Sequence, residues 1–520
     1  MWMSKRRRAS LRLAGEAAPG IPPEQQKFSK AAVDRLKAQI PGGVVLYGDP
    51  NYQDARQLSN PAFQDFPQII VYCKVFEDVR HSLRFAREHN LWVVCRSGGH
   101  STAGYSQNTE MILDLSGLCY ATVDVKAKRV TVGAGTNFGH LNSTLDTYRL
   151  HLPSGGCEDV NVAGYTQGGG FGFTSRKYGM HCDNMVEALV MLADGSMVTA
   201  SKKVNPDLFW AIRGGTGNNF GVLLQAVYQL HDLWQVWGFG ITWPLKNAAE
   251  ALNAMQTGLH TAPPELGYMT MVTWYKDKCA VILRGMYCGS REEGMKRIQS
   301  LLRTPGAKLD IDKTGSYFEM NRYLLENPDL PIVPDIAAET KDCAYVDKPL
   351  GVKGWQRIVD ALQKTSNESS MLLLEPYGGK IAEIKTKENA FIHRKVDFDM
   401  ALDVFWMNED ERRRAEAFLD GFFQDVEDLT NGHKYQNYPR RGNPNYRWNY
   451  WGDSFSTLLA VKKKYDPTNF FHYGQSVSDI PETADPSIRR PSPRIVISTD
   501  DPIHYETYSD GNRGHAHGAA

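Results

Sequence analysis

The sequence predicts an α+β protein made of two unlike layers of secondary structure, and three observations carry that reading. Up to about residue 236, short apolar runs alternate with Gly-rich loops and tight turns. Beyond about residue 237, the apolar runs lengthen and alternate with amphipathic helical segments, the pattern of an antiparallel sheet covered by helices. From Lys434 to Val477 the chain is dense in aromatic residues and Asn, which reads as a packed aromatic seam. These shifts divide the chain into a disordered arm (1–25), a first domain (26–236), a substrate domain (237–432), a C-terminal segment returning to the first domain (433–480) and a tail (481–520).

Taken in order, Phe76 to Asn90 has acidic residues at its start and Val79, Leu83 and Ala86 at helical spacing, so it predicts a helix feeding the strand Leu91–Cys95. Met111–Leu115 reads as the next strand. Val123/Val125 and Val130/Val132 flank Lys126–Arg129 as a hairpin, and Phe138–Leu150 reads as a helix. Val186–Ala193 and Met197–Ala200 form a second hairpin around Asp194-Gly195. Pro206–Ile212 has Pro in its first turn and predicts a short helix, and Gly221–His231 a closing strand. In the second half, Phe239–Trp243, Tyr268–Tyr275, Cys279–Tyr287, Met371–Glu375 and Phe398–Trp406 predict strands, with a turn at Lys276-Asp-Lys278. Glu292–Leu302, Trp355–Lys364 and Asp410–Glu427 predict covering helices.

Charge excludes some partners. Lys and Arg together number 59, as do Asp and Glu, so no net field draws the chain to nucleic acid. Lys5–Arg8 is basic, yet no apolar run of signal-peptide length follows, and no transmembrane stretch is visible. A cytoplasmic protein without a membrane partner is expected. Eight cysteines at irregular spacing, without a CxxC, predict neither a disulfide framework nor a zinc site.

Two loops hold the chemistry-bearing residues. In Arg96-Ser97-Gly98-Gly99-His100-Ser101, a strand ends on two glycines that expose one imidazole. In Ser154–Gly172, Cys157 is a lone thiol among glycines, followed by Val160, Gly164 and the bare run Gly168-Gly169-Gly170-Phe171-Gly172. Together they suggest a clamp for one large planar cofactor. Gly133-Ala-Gly135-Thr-Asn-Phe-Gly139 invites a dinucleotide reading, but its GxGxxxG spacing argues against one.

Several separated motifs then resemble one family, the berberine bridge enzyme-like flavoproteins of the vanillyl alcohol oxidase superfamily. Arg96–His100 is similar to its RSGGH loop, and Gly156–Gly164 to its GxCPTVGVGGH segment. Arg176–Gly179 with Asp183-Asn184, Asn205–Trp210 with Arg213–Gly215, Glu375–Gly379, Phe391–Arg394 and Tyr450–Gly452 through Gln475-Ser476 resemble later landmarks. The resemblance implies a two-part PCMH-type FAD-binding domain and FAD bound covalently through His100 and Cys157. It also implies flavin contacts from Arg96, Ser97, Gly98, Gly99, Ser101, Val160, Gly164, Gly168, Gly169, Gly170, Gly172 and Asn469. Glu158-Asp159 stands where the family has Pro-Thr, and Ala163-Gly164-Tyr165 where it has Gly-Gly-His.

The same resemblance implies the reaction. A small residue three places after the linking cysteine goes with oxidases in this family, and Val160 holds that place. Tyr435-Gln-Asn-Tyr438 is similar to YxNYxD, whose second tyrosine is the usual base, so Tyr438 is expected to take the proton with a lowered pKa beside Tyr435. The trailing Asp is replaced by Pro439-Arg440. Arg440 or Arg441 is a candidate to lower that pKa, and Asp397 or Asp399 to assist proton removal, with Asp399 preferred; His393 and Arg394 are read as structural. The reading is a bicovalent FAD oxidase acting on an alcohol or sugar lactol, with a small-molecule substrate and O2 as partners and no metal. Oxidative cyclisation or desaturation on the same flavin, and a flavin-bearing binding or electron-transfer protein, are the alternatives.

Overall fold

The computed structural model describes residues 26–275, 278–325, 337–365 and 370–480, with the backbone of a small ladder at 495–496 and 504–505. The arm at 1–25, two residues of the turn at Lys276-Asp-Lys278 and nearly all of the tail lie outside the described residues.

The first part holds two sheets. One has four strands in the order Val44–Leu46, Ile69–Tyr72, Met111–Asp114, Val93–Arg96, and its last three strands run parallel. The helix Phe76–Glu88 makes the crossover; Asp78 holds its start by accepting from the Lys74 and Val75 amides. The other sheet is antiparallel, in the order Ala121–Asp124, Arg129–Gly133, Val222–Gln229, Met185–Met191, Met197–Ser201. The helix Phe138–Thr147 packs beside the strand Ala121–Asp124 of this sheet and is capped by Asn137, whose side chain accepts from the His140 amide. A Cβ built on Gly133 would lie 2.1 Å from the Leu118 carbonyl oxygen, and one on Gly135 2.2 Å from that of Leu115. Those glycines serve close backbone packing, not a phosphate.

The second part is a seven-stranded antiparallel sheet ordered Lys308–Gly315, Val236–Pro244, Lys278–Tyr287, Leu266–Tyr275, Met371–Pro376, Phe398–Trp406, Ala338–Val346. Strand alternation splits its residues between two environments. Trp237, Phe239, Ile241, Tyr268, Leu372, Leu374, Met400 and Leu402 pack in one core with Trp355 and Ile358 of the helix Gly351–Leu362 and with Leu419 and Phe422 of Glu409–Asp425. Met269, Met271, Met371, Leu373, Cys343 and Tyr345 face the opposite way, into a core shared with Phe171, Phe173 and Tyr435. The sheet therefore turns this second face, which also carries Tyr317, Met320 and Leu324 of the helix Tyr317–Leu325, toward the Gly-rich loops of the first part.

The strand Ala338–Val346 and the helix Tyr317–Leu325 have no counterpart in the sequence reading. The chain then returns: Tyr446, Tyr450 and Trp451 of the helix Tyr446–Trp451, and Leu458, Val461 and Tyr465 of Phe455–Tyr465, join the core of the first part. All eight cysteines are free thiols, and among the described residues no His, Cys, Asp and Glu group could hold a metal. No described helix is long and apolar enough to cross a membrane.

Candidate active site

A cavity of about 370 Å³ lies where the Gly-rich loops meet that second sheet face. Ser97, Gly98, Gly99, His100 and Ser101 line it from one loop, and Cys157, Val160 and Gly164 from the other. The two loops interlock. Gly98 must lack a side chain, because a Cβ there would come within 2.9 Å of Asn161 Oδ1. Gly99 has φ of 73°, the left-handed conformation that glycine adopts without strain. Ser97 Oγ donates to the Ala134 carbonyl at 2.7 Å, and Ser101 Oγ accepts from the Tyr105 amide at 3.0 Å. His100 Nε2 stands 3.2 Å from Asp159 Oδ2.

Other residues expected at the flavin are placed elsewhere. Arg96 is buried and pairs with Asp114 on the neighbouring strand at 2.6 Å, so it closes the parallel sheet and is absent from the cavity wall. Gly168, Gly169, Gly170 and Gly172 are also absent from the wall, because protein fills the space around them. A Cβ on Gly168 would meet Asn437 Oδ1 at 1.9 Å, one on Gly169 the Phe391 ring at 2.7 Å, and one on Gly172 the Ser154 carbonyl oxygen at 1.9 Å. Asn469 lies in a left-handed turn with φ of 52°, also outside the wall.

On the opposite wall, alternation aims Met269, Met271, Leu373, Glu375, Asp403, Phe405, Glu339 and Lys341 into the cavity from four adjacent strands. Tyr438 completes this wall, and its hydroxyl donates to Glu375 Oε1 at 2.9 Å. Burial pushes the Glu375 carboxyl up to about 7, although the Tyr438 hydroxyl and Lys341 pull the other way. Tyr438 departs from the lowered pKa expected of it. Burial, and then the charge of Glu375, push its hydroxyl well above the ordinary tyrosine value. The proton-accepting group of the pair is thus the carboxylate, and the tyrosine is the neutral donor in front of it.

The cation near this pair is Lys341. Its ammonium sits 4.0 Å from the Tyr438 ring centroid and 2.9 Å from Asp403. Burial works against its charge, but Asp403 and Glu339 outweigh that and keep it protonated. Arg440 instead pairs with Asp420 and lies 3.6 Å from Asp342, and Arg441 lies over the Phe63 ring.

Asp399 is fully buried opposite Glu375 in the ladder, on the same strand face as Asp403 but outside the cavity wall; burial, and then Glu375, push its carboxyl well up. Asp397 points elsewhere, to Gln256 at 2.8 Å and His260 at 3.2 Å. Tyr435 reaches the wall, but its hydroxyl accepts from the Gly170 amide at 2.8 Å and from Asn437 Nδ2 at 3.0 Å, so it braces the glycine turn. Arg394 is buried in a two-point pair with Asp183, and His393 stacks on Tyr345 with ring centroids 4.4 Å apart.

These residues fit a large flat cofactor. Gly98, Gly99, Gly155, Gly156, Gly164 and Gly217 present bare backbone to the cavity, and a Cβ on Gly164 would meet nothing within 4 Å. Known proteins agree. A family model described as an FAD binding domain matches residues 67–201, and one described as berberine and berberine like matches 434–478. The chain is 28% identical to the uncharacterized FAD-linked oxidoreductase YgaK of Bacillus subtilis (strain 168), over 85% of this chain and 98% of that protein. It is 28% identical to berberine bridge enzyme-like 18 of Arabidopsis thaliana, over 77% and 81%. The fold superposes on wild-type BBE-like 1 of Physcomitrella patens with a TM-score of 0.79 at 26% identity, covering 86% of this chain and 99% of that one.

Fold and cavity thus define an FAD-linked oxidoreductase of the PCMH type. In its matching segments, its relatives and its fold, the chain is similar to the berberine bridge enzyme-like flavoproteins.

Proposed function

We propose that this protein is an alcohol oxidase that holds FAD through His100 and Cys157 and uses Tyr438 with Glu375 to remove the substrate hydroxyl proton. The hydrogen bond from Tyr438 to Glu375 inside the cavity carries this reading. Bound flavin supplies the redox chemistry, taking a hydride from the carbon that bears the hydroxyl and passing two electrons to O2 to give H2O2.

The residues of the chain do the rest. Tyr438 accepts the substrate hydroxyl proton as its own proton moves to Glu375, so no isolated phenolate forms in the buried wall. Lys341 beside the Tyr438 ring favours negative charge developing there. Val160, a short side chain that lines the cavity three residues after Cys157, would leave room for O2.

The substrate side also indicates what the alcohol is attached to. Met269, Met271, Leu373 and Phe405 line it, while Lys341 pairs with Asp403 and the Tyr438 hydroxyl with Glu375. The four apolar side chains match an alcohol carried on an apolar or aromatic body. A peroxide-coupled screen of aromatic alcohols, aliphatic alcohols and oligosaccharides is expected to give its fastest turnover on the first two. Peroxide from none of the three, with flavin bound, would overturn the oxidase reading. Flavin should also stay with acid-precipitated protein and leave it in the His100→Ala/Cys157→Ala variant.

A further inference from the structure

We propose that Asp159 is the positioning residue that makes His100 a nucleophile, by accepting the proton on its Nε2 and leaving Nδ1 as the nitrogen that bonds to flavin. This rests on the covalent reading above and assigns a task to a carboxylate that the oxidation step does not use.

The geometry is specific. Asp159 Oδ2 is 3.2 Å from His100 Nε2, within the reach of proton transfer. The other oxygen, Oδ1, is buried and has no hydrogen-bond partner among the described residues. A carboxylate left with one partner in a half-buried place is costly unless that partner is worth keeping. The backbone on either side of Asp159 is clamped to the start of the helix Phe138–Thr147. The Gly139 amide donates to the Glu158 carbonyl at 2.8 Å and the Phe138 amide to the Val160 carbonyl at 3.1 Å. Two residues on, Asn161 donates to the Gly135 carbonyl and fills the space beside Gly98. The backbone that carries Asp159 is therefore held at the point where the cysteine loop meets the histidine loop.

The chemistry requires such a partner. A neutral imidazole has one N–H and one lone pair, and the hydrogen bond at one nitrogen decides which nitrogen is nucleophilic. With the Nε2 proton directed to Asp159, Nδ1 carries the lone pair. In the attachment step, Nδ1 forms a bond to the ring-methyl carbon of the flavin as that carbon loses one hydrogen as a proton. The C–H electron pair stays with the ring system, and the imidazole gives up its Nε2 proton to Asp159. O2 takes up the two electrons and the two protons as H2O2, leaving an oxidised, histidine-linked flavin.

The test isolates the histidine link. In Cys157→Ala, intact-protein mass spectrometry is expected to show chains carrying flavin through His100. In Cys157→Ala/Asp159→Asn, the rate of covalent incorporation is expected to fall about a hundredfold, as for loss of a general base, while FAD still binds without a bond. Cys157→Ala/Asp159→Glu should keep part of the rate. Equal covalent incorporation in the two backgrounds would overturn the role of Asp159 alone. No covalent flavin in Cys157→Ala itself would overturn the histidyl link with it. Should the double variant fail to fold, the single variant Asp159→Asn keeps flavin on Cys157 and is digested with trypsin. The His100 peptide recovered unlinked supports the proposal, and its recovery only as a flavin conjugate overturns it.

Discussion

Glu375→Gln is expected to lower kcat by about a hundredfold to ten-thousandfold on any alcohol the enzyme oxidises, with flavin content and folding unchanged. The amide has the size of the carboxyl and can still accept from Tyr438, so the wall keeps its shape while the proton loses its destination. The wild-type pH profile should carry the same signature. Glu375 acts as a base only when ionised, and burial has pushed its carboxyl up to about 7. Activity is therefore low below that value and rises with pH through it, and the Gln variant should lose this acid-side limb. Tyr438→Phe should cost a similar factor, and the double variant little more, because the two groups act as one relay. A Gln variant with wild-type kcat and the same acid limb would place the base elsewhere.

That base was only half legible in the sequence, and the reason is spatial. Tyr438 stands in a recognisable motif, whereas its partner Glu375 lies 63 residues away and faces it only because the strand Met371–Pro376 points alternate side chains to the cavity. Lys341 was invisible for a related reason. Ala338–Val346 contains Glu339, Lys341 and Asp342, so its pattern is too polar for a buried strand, and tertiary pairing with Phe398–Trp406 overrides it. By contrast, the helix Phe76–Glu88 and the hairpin Met185–Met191/Met197–Ser201 follow directly from periodicity and turn residues. The glycine run 168–172 shows the limit of composition. Bare backbone was read as room for a cofactor, and the structure uses it as room for Asn437, Phe391 and the Ser154 carbonyl. Glycine signals a close approach without saying of what.

Asp183→Ala is expected to cost about 3–5 kcal/mol of stability, the usual range for stranding one partner of a buried ion pair. Arg394 is fully buried, and its two terminal nitrogens donate to Asp183 at 2.7 and 2.8 Å. Asp183 also accepts from Asn389 and from the Met180 amide, both at 2.8 Å, and so ties the 389–394 segment to the turn at 180–184. That turn supports the glycine run, since the His181 and Cys182 amides donate to the Gly170 and Gly169 carbonyls. The loss should therefore appear both as a lower thermal midpoint and as a lower content of covalent flavin. Burial raises the Asp183 carboxyl, but the charge and hydrogen bonds of Arg394 outweigh it and hold the group below the usual carboxylate range. The stabilisation is thus full above the ordinary carboxylate pKa and disappears as pH falls through the depressed value, so wild type and variant should converge only in strong acid. Replacing both partners, as in Asp183→Ala/Arg394→Met, should recover part of the loss, because the cost lies in the unpaired guanidinium. Equal melting of Asp183→Ala and wild type near neutral pH would show that the tie between the two segments rests on their apolar packing instead.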